Sequence, residues 1–264
     1  MPKKLSKFCY ECGALMEEKG PFIDGLCSDC FLKENALLKT PEDVALKICN
    51  TCGAYYMKNS VFDIERDPQA EYLEAAKEIV SSKIEVLQRN EAGTRYVKFE
   101  DSENADVAFQ AEYESADTIR VDLEARVRLT ENQKDPLIER REVPVKIKKT
   151  TCQVCSKRSH GYYEALLQIR GEDELSEERL GEILERLRIE FLEMRDRKRE
   201  DYVSQVKRKH GGLNLYTSNS KLAKDMGRFL KKEYGAKTDH SAELVGQTED
   251  GKDKYRVTVV ARIP

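Results

Sequence analysis

Ile48-Cys49-Asn50-Thr51-Cys52-Gly53 and, after a gap of 99 residues, Cys152-Gln153-Val154-Cys155 decide the architecture of this chain. Each is a Cys-x-x-Cys turn, which presents two sulfurs to one metal ion. Two such turns complete the tetrahedral four-thiolate set that zinc favours. Two further pairs, Cys9/Cys12 and Cys27/Cys30, are separated by 14 residues, an ordinary zinc-ribbon or treble-clef loop. No cysteine lies outside a pair. The expected sets are Cys9, Cys12, Cys27 and Cys30 for one ion, and Cys49, Cys52, Cys152 and Cys155 for the other. A crossed pairing has the same spacing and stays open. Gly13 and Gly53 follow two of the turns, where glycine lets backbone N–H groups turn toward sulfur.

Other uses of these thiols fit less well. A disulfide framework belongs to secreted chains, and no secretory signal opens this sequence. A redox Cys-x-x-Cys normally occurs once, beside a βαβ unit. An iron–sulfur cluster also takes four thiolates, often from closer runs. Of three histidines only His160 is near a pair, so closed, structural sites for two Zn2+ ions are expected. Structural zinc contributes ~10–16 kcal/mol in finger peptides.

The 99-residue gap implies an insertion that metal closure would tie at both ends. Asp67-Pro68 reads as a helix start, N-cap then N1. Tyr72, Ala75, Ala76, Ile79, Val80 and Ile84 then recur at helical spacing, predicting a helix to about Arg89. A short helix is expected over residues 31–40. From 94 to 150 the period becomes two. Ile119, Val121, Leu123, Ala125, Val127 and Leu129 alternate, which predicts one buried and one wet face. An antiparallel meander follows, its last strand running through Val143, Val145 and Ile147.

A second unit begins at about residue 161. Tyr163, Ala165, Leu167 and Ile169 alternate as a strand. Ser176 caps a helix whose apolar face is Leu180, Ile183, Leu184, Leu187, Phe191 and Met194, a stripe best explained by core packing. A strand at 202–209, Gly211-Gly212 and a strand at 213–216 read as a hairpin. Ser218 or Asn219 caps a helix that Gly235 ends. Strands near 238–248 and 253–262 flank Asp250-Gly251. The order β-α-β-β-α-β is the split βαβ, ferredoxin-like pattern with one extra strand. The fold expected is thus α+β. Residues 1–160 form a two-zinc domain with an α+β insertion at about 57–150, and 161–264 a ferredoxin-like domain.

Composition limits function. The 264 residues carry 46 Lys+Arg against 49 Asp+Glu, a net charge of −3. A basic coat for nucleic acid is excluded, so any RNA contact is local. No apolar run approaches the ~20 residues that span a bilayer, so a soluble, cytoplasmic protein without membrane contact is expected. From Val143 to Tyr163 there are five cations and no acid: Lys146, Lys148, Lys149, Lys157 and Arg158. His160, Tyr162 and Tyr163 interleave with them. Cations and aromatics on a metal-fixed turn suit phosphate contact and base stacking. A second basic run holds Arg197, Lys198, Arg199, Lys207, Arg208 and Lys209; a solvated helix end and hairpin edge explains it about as well. No phosphate loop, nucleophile elbow or His-x-x-x-His pair appears, and no enzyme is expected.

Several blocks together resemble one family. They are Phe8-Cys9-Tyr10-Glu11-Cys12-Gly13, the Cys27/Cys30 pair, Ile48-Cys49-Asn50-Thr51-Cys52 with Tyr55-Tyr56, and Cys152-Gln153-Val154-Cys155. After these come Tyr162-Tyr163-Glu164-Ala165, Gln168-Ile169-Arg170 and Gly212-Leu213-Asn214-Leu215-Tyr216 with Ser218. They are similar to the large-ribosomal-subunit export adaptor family, named for nonsense-mediated mRNA decay, from about Phe8 to the C-terminus. The resemblance implies binding to the late pre-large subunit on its intersubunit face, with rRNA, ribosomal proteins and other assembly factors as partners. Eukaryotic relatives continue with a translation-factor-like domain and a tail of transport signals. This sequence stops at Pro264 and looks like a short archaeal member, which narrows the implied role to subunit binding or assembly. A protein-interaction adaptor of the RING type is the competing reading. Its closely interleaved pairs and usual His ligand match the 99-residue gap poorly.

Overall fold

The computed structural model describes residues 7–20, 22–90, 93–130, 133, 135–195, 199–247 and 250–264. The chain divides into two compact units, Met1–Thr150 and Thr151–Pro264.

The first unit opens with α1 (Met16–Lys19), α2 (Ser28–Glu34), β1 (Leu38–Lys39), β2 (Val44–Cys49), β3 (Tyr55–Met57) and β4 (Ser60–Phe62). Then come α3 (Pro68–Ser81), β5 (Glu85–Asn90), β6 (Gly93–Lys98), β7 (Ala105–Ser115), β8 (Thr118–Val127) and β9 (Leu137–Thr150). Six strands form one sheet in the order β4-β3-β2-β9-β8-β7, and β1-β5-β6 form a second. The meander β7-β8-β9 is antiparallel throughout. Its last strand returns parallel to β2, from Val44 opposite Val145 to Cys49 opposite Thr150. Ile119, Val121, Leu123, Ala125 and Val127 are all buried, as their alternation requires. Each large apolar side chain so buried contributes about 1.5–3 kcal/mol. The opposite face of β8 carries an ion-pair ladder, with Arg120 beside Asp122 and Glu124 between Arg126 and Arg140.

Asp67 caps α3 by accepting from the Gln69 N–H at 3.2 Å, and Pro68 occupies the first turn. The helix ends at Ser81, not near Arg89. Lys83 N–H turns back to Val80 O, and residues 85–90 form a strand paired with β1 and β6. Ile84 does sit at the next helical position, but Val86 and Leu87 are both buried as neighbours. Consecutive burial suits a strand held between two layers, and the β-branched pair Ile84 and Val86 favours it. Within 31–40, the helix is the end of α2, and Leu38–Lys39 is already strand.

The second unit contains α4 (Gln153–Ser159), β10 (Ala165–Gly171), α5 (Glu177–Arg195), β11 (Val203–Lys209) and β12 (Gly212–Thr217). It closes with α6 (Ser220–Tyr234), β13 (Lys237–Gln247) and β14 (Asp253–Ile263). The sheet order is β11-β12-β10-β14-β13. The expected extra strand is here the outermost one, β13. Its hairpin mate β14 takes the place beside β10 and runs parallel to it. Ser176 Oγ accepts from Arg179 N–H at 3.2 Å at the start of α5. Asn219, rather than Ser218, caps α6 by accepting from Leu222 N–H at 2.8 Å. Gly235 ends α6 in the left-handed conformation. Leu180, Ile183 and Leu187 of α5 join Leu222, Met226 and Leu230 of α6 in one core over the sheet. The side chain of Met194 lies outside the described residues. Among the described residues no helix is long and apolar enough to cross a membrane.

Candidate metal centres and nucleic-acid interface

The two Cys-x-x-Cys turns that open each group are built alike. Cys9 N–H donates to Ala14 O and Gly13 N–H to Cys9 O, both at 2.9 Å. Cys49 N–H donates to Ala54 O at 2.7 Å and Gly53 N–H to Cys49 O at 2.9 Å. Gly13 and Gly53 have φ of +73° and +78°, a region that costs a side chain but not glycine. This turn directs both sulfurs of a pair to one side.

The sulfurs of Cys9, Cys12, Cys27 and Cys30 all lie within 4.8 Å of one another, and so do those of Cys49, Cys52, Cys152 and Cys155. These are the uncrossed sets. They join pairs in sequence rather than interleaving them, unlike a cross-brace RING. A tetrahedral ion with ~2.3 Å metal–sulfur bonds sets its sulfurs about 3.8 Å apart. Cys12 Sγ and Cys27 Sγ are 3.7 Å apart, so the first group fits that geometry. Cys9, Cys27 and Cys30 are buried there, as are Cys49 and Cys152 in the second group. Each group offers four sulfurs, a full tetrahedral set, and the donor set is consistent with zinc.

The thiols of the first group are unequal. Burial pushes Cys9 up, but backbone N–H bonds from Cys12, Cys27 and Glu11, with a Cys12 side-chain bond, outweigh it and hold the thiol at about 6. One of these is Cys27 N–H to Cys9 Sγ at 3.3 Å. Burial, then the neighbouring sulfurs of Cys27, Cys12 and Cys9, push Cys30 up to about 12. Four thiolates packed this closely repel one another, and a divalent cation between them removes that cost. In the second group Cys155 N–H donates to Cys152 Sγ at 3.4 Å. Arg199 Nη2 donates to the same sulfur at 2.8 Å.

The cations divide between the units. In the first, Lys146 and Lys148 are exposed on the outer face of β9, with Lys47 of β2 opposite Lys148. Lys149 points the other way, into a cleft with Tyr72 and Tyr113. In the second, α4 presents Lys157 and Arg158, with His160 at its C-cap, all exposed. His160 Nδ1 is 2.7 Å from Ser156 O. Arg208 pairs with Glu177, and Lys209 is exposed at the hairpin end. Arg197 and Lys198 lie outside the described residues.

Tyrosines gather several of these cations into one array. Lys157 Nζ stands 5.3 Å from the Tyr162 ring centroid and Lys254 Nζ 5.4 Å from it. The guanidinium of Arg256 lies 4.4 Å over Tyr163. Tyr163 meets Tyr216 edge to face at 4.8 Å, and Lys207 Nζ is 5.4 Å from the Tyr216 ring. Each such contact is worth ~0.5–1 kcal/mol at an exposed site. Together they fix positive charge beside π-faces, the combination that holds phosphate and stacks bases. Tyr216, Lys254 and Arg256 were not among the residues expected from sequence. Lys254 and Arg256 alternate in β14 as strand cations, a weak signal until the sheet brings them to Tyr162 and Tyr163.

Comparison with known families matches nearly the whole chain in two blocks. The model described as NMD3, N-terminal domain, matches residues 9–160. The model described as NMD3, second domain, matches residues 162–263. No curated protein matches the chain.

Proposed function

Because this chain belongs to the NMD3 family, we propose that it is a non-enzymatic factor that binds the large ribosomal subunit in late assembly, in the cytoplasm. The observation that carries this reading is the pair of family matches, over 9–160 and 162–263. Two four-cysteine groups with sulfurs within 4.8 Å support a scaffold whose turns are fixed by metal. When bound, a zinc ion supplies structural cross-linking and no chemistry of its own.

The contact with rRNA is assigned to Lys146, Lys148, Lys149, Lys157, Arg158, His160 and Tyr162, together with the second basic run, Arg197, Lys198, Arg199, Lys207, Arg208 and Lys209. Cations there neutralise phosphates and release counterions, so affinity falls with salt. Tyrosines beside them take unpaired bases. Ribosomal proteins complete the docking surface on the intersubunit face, and release is left to another factor.

The test is co-sedimentation of the zinc-loaded chain with isolated large subunits, small subunits and joined ribosomes across a salt series. Salt-sensitive binding to free large subunits alone is the expected result. Equal binding to all three, or to none, overturns the reading.

A further inference from the structure

A cleft of about 160 Å³ opens in the second unit beside the cation–tyrosine array. Its walls include Tyr162, Glu164, Val245, Lys254, Tyr255 and Arg256. At ~30 Å³ per water, it has the volume of about five waters, the scale of one ring system and not of a duplex. Three features make it a built site. Tyr255 is 52 % exposed although it is a large aromatic, and it lines the cleft. A bulge between Leu244 and Gly246 breaks the β13–β14 alternation, and the extra residue, Val245, adds an apolar wall. Such bulges re-aim a side chain at a site. Gly246, at φ +147°, permits the bulge.

The polar groups are arranged for one kind of edge. Tyr162 Oη donates to Glu164 Oε1 at 2.6 Å, and Lys254 Nζ donates to Tyr162 Oη at 3.1 Å. This chain of bonds fixes the Glu164 carboxylate. It is half-buried and uses one of about four lone-pair positions on that bond. Arg256 Nε is buried without a hydrogen-bond partner while its guanidinium stacks on Tyr163. A fixed carboxylate accepts only; it asks for two adjacent N–H donors. Among the four RNA bases, guanine alone has two neighbouring donors, N1–H and N2–H2, on its pairing edge. Adenine and cytosine set an acceptor beside their amino group, and uracil flanks its one N–H with carbonyls. Lys254 and Arg256 add two cations to the same walls, the charge that backbone phosphates take.

We infer that this cleft takes a single unpaired guanine of an RNA strand, stacked on Tyr255 and read by the carboxylate of Glu164. The assignment rests on the RNA-binding reading above and adds the identity of the base. Guanine could also arrive as a free nucleotide, and the experiment separates the two sources.

The zinc-loaded full chain is titrated, by fluorescence anisotropy, into labelled UUUGUUU, UUUAUUU and UUUUUUU. UUUGUUU is expected to bind about tenfold more tightly than the others, the scale of one bidentate base contact. E164Q is expected to abolish that preference and keep the uridine-level affinity. Y255A is expected to weaken all three RNAs about tenfold, as removal of one stacking platform does. Equal binding of the three RNAs by the wild type overturns the inference, as does an E164Q protein that retains the preference. GMP competing as strongly as UUUGUUU overturns the RNA-borne form. Co-sedimentation run in parallel separates the two readings. Large-subunit binding without guanine preference removes the cleft alone. Guanine preference without large-subunit binding keeps the cleft and removes the ribosomal role.

Discussion

Arg199 donates a hydrogen bond to the sulfur of Cys152 at 2.8 Å. A guanidinium on a thiolate draws charge from it and fixes its direction, and so tunes any metal that the sulfur holds. Removing such a supporting group typically costs 10–100-fold in metal affinity. R199A is therefore expected to lower zinc affinity about tenfold at one of the two sites, read by chelator competition. Two sites that keep equal affinity would assign Arg199 to another role.

Cys152→Ser removes one ligand of the second group. The expected result is one zinc per chain instead of two, with faster hydrogen exchange along the β2–β9 ladder. That ladder ends at Cys49 opposite Thr150, so loosening the metal turns frees the strand ends first. One zinc with unchanged exchange would uncouple the metal from the sheet.

Charge reversal at Lys157 and Arg158 tests the electrostatic part of the proposed subunit binding. Both cations are exposed on α4, and each phosphate left without its cation lowers the salt slope by about 1. The double variant K157E/R158E is expected to bind more weakly, with a slope about 2 smaller. A weaker complex with the original slope would place the effect outside phosphate binding.

Gly212 is fixed by space. A Cβ built there stands 2.1 Å from Ile169 O, in the backbone of the neighbouring strand. G212A is expected to destabilise the second unit by about 2–3 kcal/mol, within the range of strained core substitutions. Chemical denaturation reads the change, and a loss under 0.5 kcal/mol, the scale of a neutral surface change, would mean that β10 and β12 part easily.

Lys237 Nζ sits 2.7 Å from Glu172 Oε1. That hydrogen bond first, and the lysine's charge second, hold the Glu172 carboxyl below the usual carboxylate range. A depressed pKa means that the folded state binds its proton less readily than the unfolded chain. The stabilisation is present above the unfolded value and fades as pH falls through the folded one. The pair is exposed, so its effect is small. K237M is expected to raise the Glu172 midpoint in an NMR titration; an unmoved midpoint would assign the shift elsewhere.

The Cys-x-x-Cys turns were legible because their spacing alone sets the local geometry, whereas spacing left open which turns share an ion, and the fold that brings their sulfurs within 4.8 Å decides it. The cap at Asp67 was legible, and that of α6 was narrowed to Ser218 or Asn219, because a side-chain acceptor two or three residues before a free N–H is a local event. The end of α3 was not. Ile84 continues the helical period, and only β1 and β6, distant in sequence or not yet paired, make 85–90 a strand. The array was half legible for the same reason. Lys157 and Tyr162 lie close in sequence, but Lys254 and Arg256 reach Tyr162 and Tyr163 through a parallel pairing of strands some ninety residues apart. The extra strand was visible as a hairpin, but its place at the edge depends on which of two strands reaches β10.

The parallel return of β9 to β2 also sets an order in time. Every pair from Val44–Val145 to Cys49–Thr150 spans about a hundred residues, and such non-local pairings form late. A chain leaving the ribosome at about 5–20 residues per second exposes Cys30, and with it a complete first metal group, long before Cys155. The second group lags by roughly 6–25 s of synthesis at that rate. During this interval Cys49 and Cys52 wait as an incomplete thiol pair, open to oxidation or to the wrong partner. A metal ion that closes the first group takes its four sulfurs out of that competition.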